Sequence, residues 1–170
     1  MNVQSALALL TVVALGACAA PPAPSRTAAL AQRSALEAMT PEAQSTVRAA
    51  NVRFLLLPEP YARVAVATSG PHWSALSARE GSLTVSLHGT DVTHDAALPL
   101  AEVQRAEPPA HVRGVAARVL VNEGIRSVAW NEDGADWSLE VECFAPDTDA
   151  RCTDDAFVLD LASRLEEMAR

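Results

Sequence analysis

Between residues 82 and 88 the chain alternates strictly, with Leu83, Val85 and Leu87 set against Thr84, Ser86 and His88. A side-chain period of two marks a strand with one buried and one wet face. The pattern returns three times downstream. Val115, Ala117, Val119 and Val121 share one face, and Val128 and Trp130 share the next. Trp137, Leu139, Val141 and Cys143 share the last, opposite Ser138, Glu140 and Glu142. Residues 72–78 read as the strand before residue 82, with Trp73, Ala75 and Ser77 on one side, Leu76 on the other, and a turn at Arg79-Glu80-Gly81. Asn131-Glu132-Asp133-Gly134 supplies the turn between the last two strands. Upstream, the apolar run 52–57, bounded by Pro58 and Pro60, predicts a buried strand, and residues 61–68, with Val64 and Val66, predict another. The polar stretch 90–109 predicts a long connection.

Helical periods flank this region. Thr40-Pro41-Glu42 suits a helix start, with a capping hydroxyl, Pro at the first helical position and a carboxylate at the positive end. That helix should run to about Ala50, after a weaker helical stretch over 27–39 carrying Leu30, Ser34 and Leu36. At the other end, Thr153-Asp154-Asp155 should open a helix whose Phe157, Leu161, Leu165 and Met168 face the sheet, with Val158 and Ala162 beside them. Arg164, Glu166 and Glu167 should then face away. The expected fold is α+β: a largely antiparallel, curved sheet covered by a C-terminal helix and preceded by N-terminal helices.

Cys143 ends the last strand and Cys152 precedes the last helix, with Pro146, Asp147 and Asp149 between them. A disulfide here would pin the helix to the sheet, and in the chain-entropy model would stabilise by about 2–3 kcal/mol. A metal pair would need two further ligands, and no Cys or His stands nearby at a suitable spacing.

The third cysteine, Cys18, closes Leu15-Gly16-Ala17-Cys18 behind the apolar run 6–14. This segment resembles the lipobox of a bacterial lipoprotein signal peptide. The resemblance implies a signal over 1–17 and lipidation of Cys18 as the first mature residue, although residues 1–6 hold no Lys or Arg where a basic region is usual. The alternative is an ordinary secretory signal cleaved near Ala17 or Ala20. Residues 19–25 are Pro/Ala-rich and predict an extended tether, so that 18–51 holds the tether and N-terminal helices and 52–170 the α+β domain. Ala19 lacks the familiar Asp-type inner-membrane retention signal, which favours the outer membrane, facing the periplasm.

Composition narrows the partners. The formal net charge is -8, and no Lys is present. A basic surface for nucleic acid is not expected, and membrane contact should come through acyl chains rather than charge. Aromatic residues make up 4%, so each Trp should have a fixed structural place.

Candidate chemistry is sparse. His88, Asp91, His94 and Asp95 cluster in one stretch and could hold a transition metal, but their spacing fits no familiar ligand pattern, and a polar strand end explains them equally. Glu140 and Glu142 share a strand face, which reads as a solvated face rather than an acid–base pair. No Ser sits in a Gly-x-Ser-x-Gly elbow, no Gly-rich phosphate loop is present, and Cys143 has a nearby partner. Asn122-Glu123-Gly124-Ile125 suits a tight hairpin bend, or, beside Arg126, a ligand-binding edge. Trp73, Trp130 and Trp137 could pack a core or line an apolar groove.

The segment from Arg113 to Leu165, including Val121-Asn122-Glu123-Gly124-Ile125, Trp130, Gly134, Trp137, Val141-Glu142-Cys143 and Arg151-Cys152, resembles uncharacterised proteobacterial envelope proteins, as do Phe54-Leu55-Leu56-Leu57-Pro58 and Gly89-Thr90. The succession Trp-turn-Trp-strand-helix is also similar to small lipoprotein-carrier-like domains, whose curved sheets hold acyl chains under a helix. The resemblances imply an envelope address and no activity or cofactor. The expectation is a lipid-anchored envelope protein with a non-catalytic periplasmic domain that binds or senses a small apolar ligand or a protein. The competing expectations are a metal-dependent hydrolase using His88, Asp91 and His94, and a structural lipoprotein.

Overall fold

Seven antiparallel strands form the main sheet, in the order β2-β3-β4-β8-β7-β6-β5. They are β2 (Val66–Ser69), β3 (Trp73–Glu80), β4 (Leu83–Thr90), β5 (Ala110–Val112), β6 (Val115–Asn122), β7 (Ile125–Glu132) and β8 (Ala135–Cys143). This computed structural model describes residues 34–92 and 110–168. Cys18, the tether, residues 27–33, His94, Asp95 and the connection 93–109 lie outside the described residues.

The sheet is two meanders, β2-β3-β4 and β5-β6-β7-β8, joined where β4 pairs with β8. Local turn chemistry builds each meander. Arg113-Gly114, Glu123-Gly124 and Asp133-Gly134 each place both central residues at positive φ, between 51° and 87°. A two-residue type I′ turn requires this, because its backbone twist matches that of the flanking strands. Between β3 and β4 the turn residues are Gly81 and Ser82 instead, since Glu80 still pairs with Leu83. The bend therefore falls later than Arg79-Glu80-Gly81 suggests.

The period-two pattern sorts the two faces as expected. Leu76, Leu83, Val85, Leu87, Val128, Leu139 and Val141 are buried, while His88, Ala129, Asn131 and Glu142 on the opposite face are exposed. Trp73 lies on the wet side, 45% exposed. Val121 pairs with Arg126 on the inner side yet is 57% exposed.

A second layer covers the inner face. It contains α1 (Ala35–Ala38), α2 (Pro41–Ala49), a 3-10 turn (Tyr61–Val64) and α3 (Ala156–Ser163). Thr40 caps α2 by accepting from the Ala43 N–H at 3.2 Å, and Pro41 holds the first helical position. Ala35, Met39, Ala43 and Val47 join the same core as the sheet. Helix α3 packs against β5, β7 and β8, with Val158, Leu161 and Ala162 fully buried.

Three expectations need correction. The run 52–57 is not a strand of the main sheet; only Leu55–Leu56 is extended, forming β1. Residues 61–68 divide, because Pro60 has helical dihedrals and leads into the 3-10 turn. That turn buries the adjacent residues Tyr61 and Ala62 together, which a strand with one wet face does not do. The last helix stops at Ser163 rather than continuing to Met168. Glu166–Glu167 forms β9, which pairs antiparallel with β1 (Leu55↔Glu167, Leu56↔Glu166). Leu165 is buried in both readings, so its periodic position does not separate a helix from the start of a strand.

Cys143 and Cys152 are joined in a disulfide, with a Cα–Cα distance of 6.2 Å and a sequence separation of 9. Both are buried, and the loop between them is ordered by its own backbone: Asp149 N–H donates to the Ala145 carbonyl and Cys152 N–H to the Asp149 carbonyl. Replacing both cysteines by Ser should cost about 2–3 kcal/mol in denaturant unfolding. In the unreduced, unfolded protein neither Cys143 nor Cys152 should react with a thiol reagent; two reactive thiols there would contradict the pairing.

Candidate functional site

The β4–β8 register sets Gly89 opposite Trp137. Both face inward, and the Trp137 indole lies directly on the Gly89 backbone: a Cβ at position 89 would stand 2.3 Å from Trp137 Cζ3. Any side chain at residue 89 would displace the ring. This close approach explains why a glycine interrupts the inner-face alternation of Leu83, Val85 and Leu87.

Next to this contact lies a cavity of about 180 Å³. Val52, Gly89, Ala135 and Trp137 are its buried lining, and Asn51, His72, Asp91, Asp133 and Gly134 its exposed rim. The rim is built by two turns. In the loop between β2 and β3, the His72 carbonyl accepts from Thr90 Oγ1 at 3.0 Å and from the Asp91 N–H at 3.2 Å. His72 Nδ1 lies 3.1 Å from Asp91 Oδ1. The β7–β8 turn supplies Asp133 and Gly134. Arg53 crosses to that turn, donating to the Glu132 carbonyl at 3.1 Å and to Asp133 at 3.5 Å, and also to Glu167 at 2.9 Å.

Trp130 stands directly opposite Trp137 on β7. Its Nε1–H donates to Glu132 at 3.2 Å. Glu132 also receives the Arg113 guanidinium at 2.8 and 3.1 Å, and Arg113 reaches the Leu165 carbonyl at 2.6 Å. Burial pushes the Glu132 carboxyl upward, but the bonds from Arg113 and Trp130 outweigh it and hold the group below its ordinary value. Trp137 has no equivalent. It is 3% exposed, and among the described residues its Nε1–H has no hydrogen-bond partner.

The other candidate residues are dispersed. His88 is on the outer face, opposite Ala75 and Ser138, while Asp91 sits at the cavity rim. Among the described residues no group of three or more His, Cys, Asp or Glu is placed to hold a metal ion. Glu140 is flanked across the strands by Ser86 and Ser127, and Glu142 by Thr84, so neither faces a second carboxylate there. Asn122 and Glu123 form the β6–β7 hairpin bend, with Glu123 at φ 51°. Arg126 is engaged at the start of α3, donating to the Cys152 carbonyl at 3.1 and 3.2 Å and pairing with Asp155. Helix α3 begins under this guanidinium, with the Asp154 carboxylate accepting from the Ala156 N–H at 2.9 Å. Thr153 is not its cap; its hydroxyl donates to the Ala150 carbonyl at 3.4 Å. Trp130 and Trp137 are core residues, and Trp73 is not.

Sequence reasoning missed Arg53, His72 and Asp133 as neighbours of one cavity, because they are brought together by long-range pairing. Gly89 carried a usable signal: a lone glycine on the buried face of an otherwise regular strand marks a close approach. Comparison with protein-family models, curated proteins and solved structures finds no match to this chain.

At the opposite end of β8, the disulfide loop has its own charge pair. Arg151 donates to Asp149 from its side chain at 2.5 and 2.9 Å and from its backbone N–H at 3.0 Å. These bonds lower the Asp149 carboxyl from 3.8 to about 2. A depressed carboxyl favours the fold while ionised, so its contribution should be complete above about pH 4 and lost as pH falls towards 2. A side-chain NMR titration should place the Asp149 midpoint near 2; a midpoint at the ordinary 3.8 would show that the Arg151 contacts do not persist in solution.

Proposed function

We propose that this chain is a lipid-anchored cell-envelope protein whose α+β domain binds a ligand without chemically transforming it. The observation that carries the address is the buried Cys143–Cys152 disulfide taken together with Cys18. Disulfides persist in oxidising compartments and are rare in cytosol. With two cysteines joined, the third stands alone behind an apolar run, in the position a diacylglycerol would modify. Ala19 after it supports the outer membrane, with the domain held in the periplasm on the tether. Among the described residues no helix is long and apolar enough to cross a membrane. In this reading the anchor is the lipid on Cys18.

Binding is supported by the cavity beside Trp137, which combines an apolar floor with converging polar groups. A protein docking on the short edge strands β2 or β5 is the other form this reading takes.

Expressed in a Gram-negative host, the full chain should fractionate with the outer membrane, and mass spectrometry should find acyl chains on Cys18. Cys18→Ser should move the protein out of the membrane fraction. A wild-type protein that is soluble, with an unmodified Cys18, would sink the proposal.

A further inference from the structure

Strand β6 is paired along only part of the edge that faces away from β7. β5 covers Val115 to Ala117, and among the described residues no strand pairs with residues 118–122 on that side. The two residues before β5 in the sequence are Pro108 and Pro109. Continued in register, β5 would set Pro108 opposite Val119, where the ladder needs an N–H that proline lacks.

Hydrogen-bond alternation fixes which groups remain. Asn122 and Ile125 flank the two-residue Glu123-Gly124 turn and exchange hydrogen bonds with each other. Leu120 and Arg118 therefore also turn their backbone groups to β7, while those of Val119 and Val121 point the other way. The same stretch carries exposed aliphatic side chains on both faces, with Leu120 51% and Val121 57% exposed. Unpaired ladder groups beside such side chains template a further strand.

A second copy of this chain fits that edge. In an antiparallel self-pair with its two-fold axis at Leu120, Val119 of each copy lies opposite Val121 of the other. Each copy offers two N–H and two C=O groups there, so four hydrogen bonds form and no edge group is left over. An axis at Val119 or Val121 would leave half of these groups unmatched. The Leu120 side chains meet across the axis at a non-hydrogen-bonded pair, where side chains approach most closely. Charge completes the match. Arg118 and Glu123 stand at opposite ends of the stretch, both exposed, and neither has an ion-pair partner among the described residues. The axis sets Arg118 opposite Asn122 of the other copy, one residue from its Glu123, and does so twice. A foreign strand would have to supply this pattern; the chain already carries it.

We infer that this chain forms a two-fold symmetric dimer by antiparallel pairing of β6 over residues 118–122, joining two main sheets into one. The interface shares no residue with the cavity lining and does not need the Cys18 anchor.

Sedimentation equilibrium of the purified full chain tests this, with Cys18→Ser throughout so that neither lipid nor an intermolecular disulfide links copies. The mass should rise to that of a dimer with concentration. Val121→Pro removes an edge N–H that β7 does not use, and Leu120→Lys sets like charges across the axis. Each should weaken dimerisation about tenfold or more, the value of two ordinary hydrogen bonds, while a dispersed amide spectrum shows that the fold persists. Arg118→Glu and Glu123→Lys should each dimerise poorly alone, and mixing them should restore a heterodimer, because every facing pair is then opposite in charge. A Cys18→Ser chain that stays monomeric up to about 1 mM would overturn the inference and leave the edge to a strand from another protein. A dimer that survives both Val121→Pro and Leu120→Lys would also overturn it, placing association on another face. So would charge variants whose mixture associates no more tightly than either alone.

Discussion

The pairing of β4 with β8 is the constraint on which the rest of the molecule depends. It is the only join between the two meanders of the described sheet, running from Leu83↔Cys143 to Thr90↔Asp136. Each meander can form from local turn chemistry, but this join requires residues far apart in sequence to find a single register. Because side chains alternate, a slip by one residue would turn Trp137, Leu139 and Val141 towards water. Burial on one face therefore selects the register strongly. The sheet ends on the four-residue β2 and the three-residue β5.

The same register decides what happens at both ends of β8. At one end Cys143 reaches Cys152, and the start of α3 is held by Arg126 through the Cys152 carbonyl and Asp155. At the other end Trp137 settles on Gly89, and the turns bearing His72 and Asp133 enclose a cavity. One end is satisfied by covalent and ionic closure. The other leaves a polar-rimmed space beside the Trp137–Gly89 contact.

The sheet could be read from sequence because its strands alternate cleanly and the inner face is apolar. The α+β class, the turns at Glu123-Gly124 and Asp133-Gly134, and the Thr40 cap all follow from short-range rules. Residues 52–57 were harder, since a continuous apolar run has no period to distinguish a strand from a buried irregular segment. Leu165 misled differently: its position suits a helix repeat, and pairing of Glu166–Glu167 with Leu55–Leu56 is invisible locally. The site was least legible. Its groups come from residues 51–53, 72, 89–91 and 133–137, and only the β4–β8 register assembles them. Arg126 could be flagged beside its hairpin, but its partners on the α3 side depend on tertiary packing.

The contact of Trp137 with Gly89 reports that register most directly. An indole lying on a glycine backbone shifts the Gly89 Hα resonances strongly upfield through its ring current. NMR of the protein should find those resonances displaced, with nuclear Overhauser contacts to the Trp137 indole, and both effects should vanish in Trp137→Leu. Gly89 Hα resonances at ordinary positions, with no contact to that ring, would contradict the pairing and the cavity that it builds.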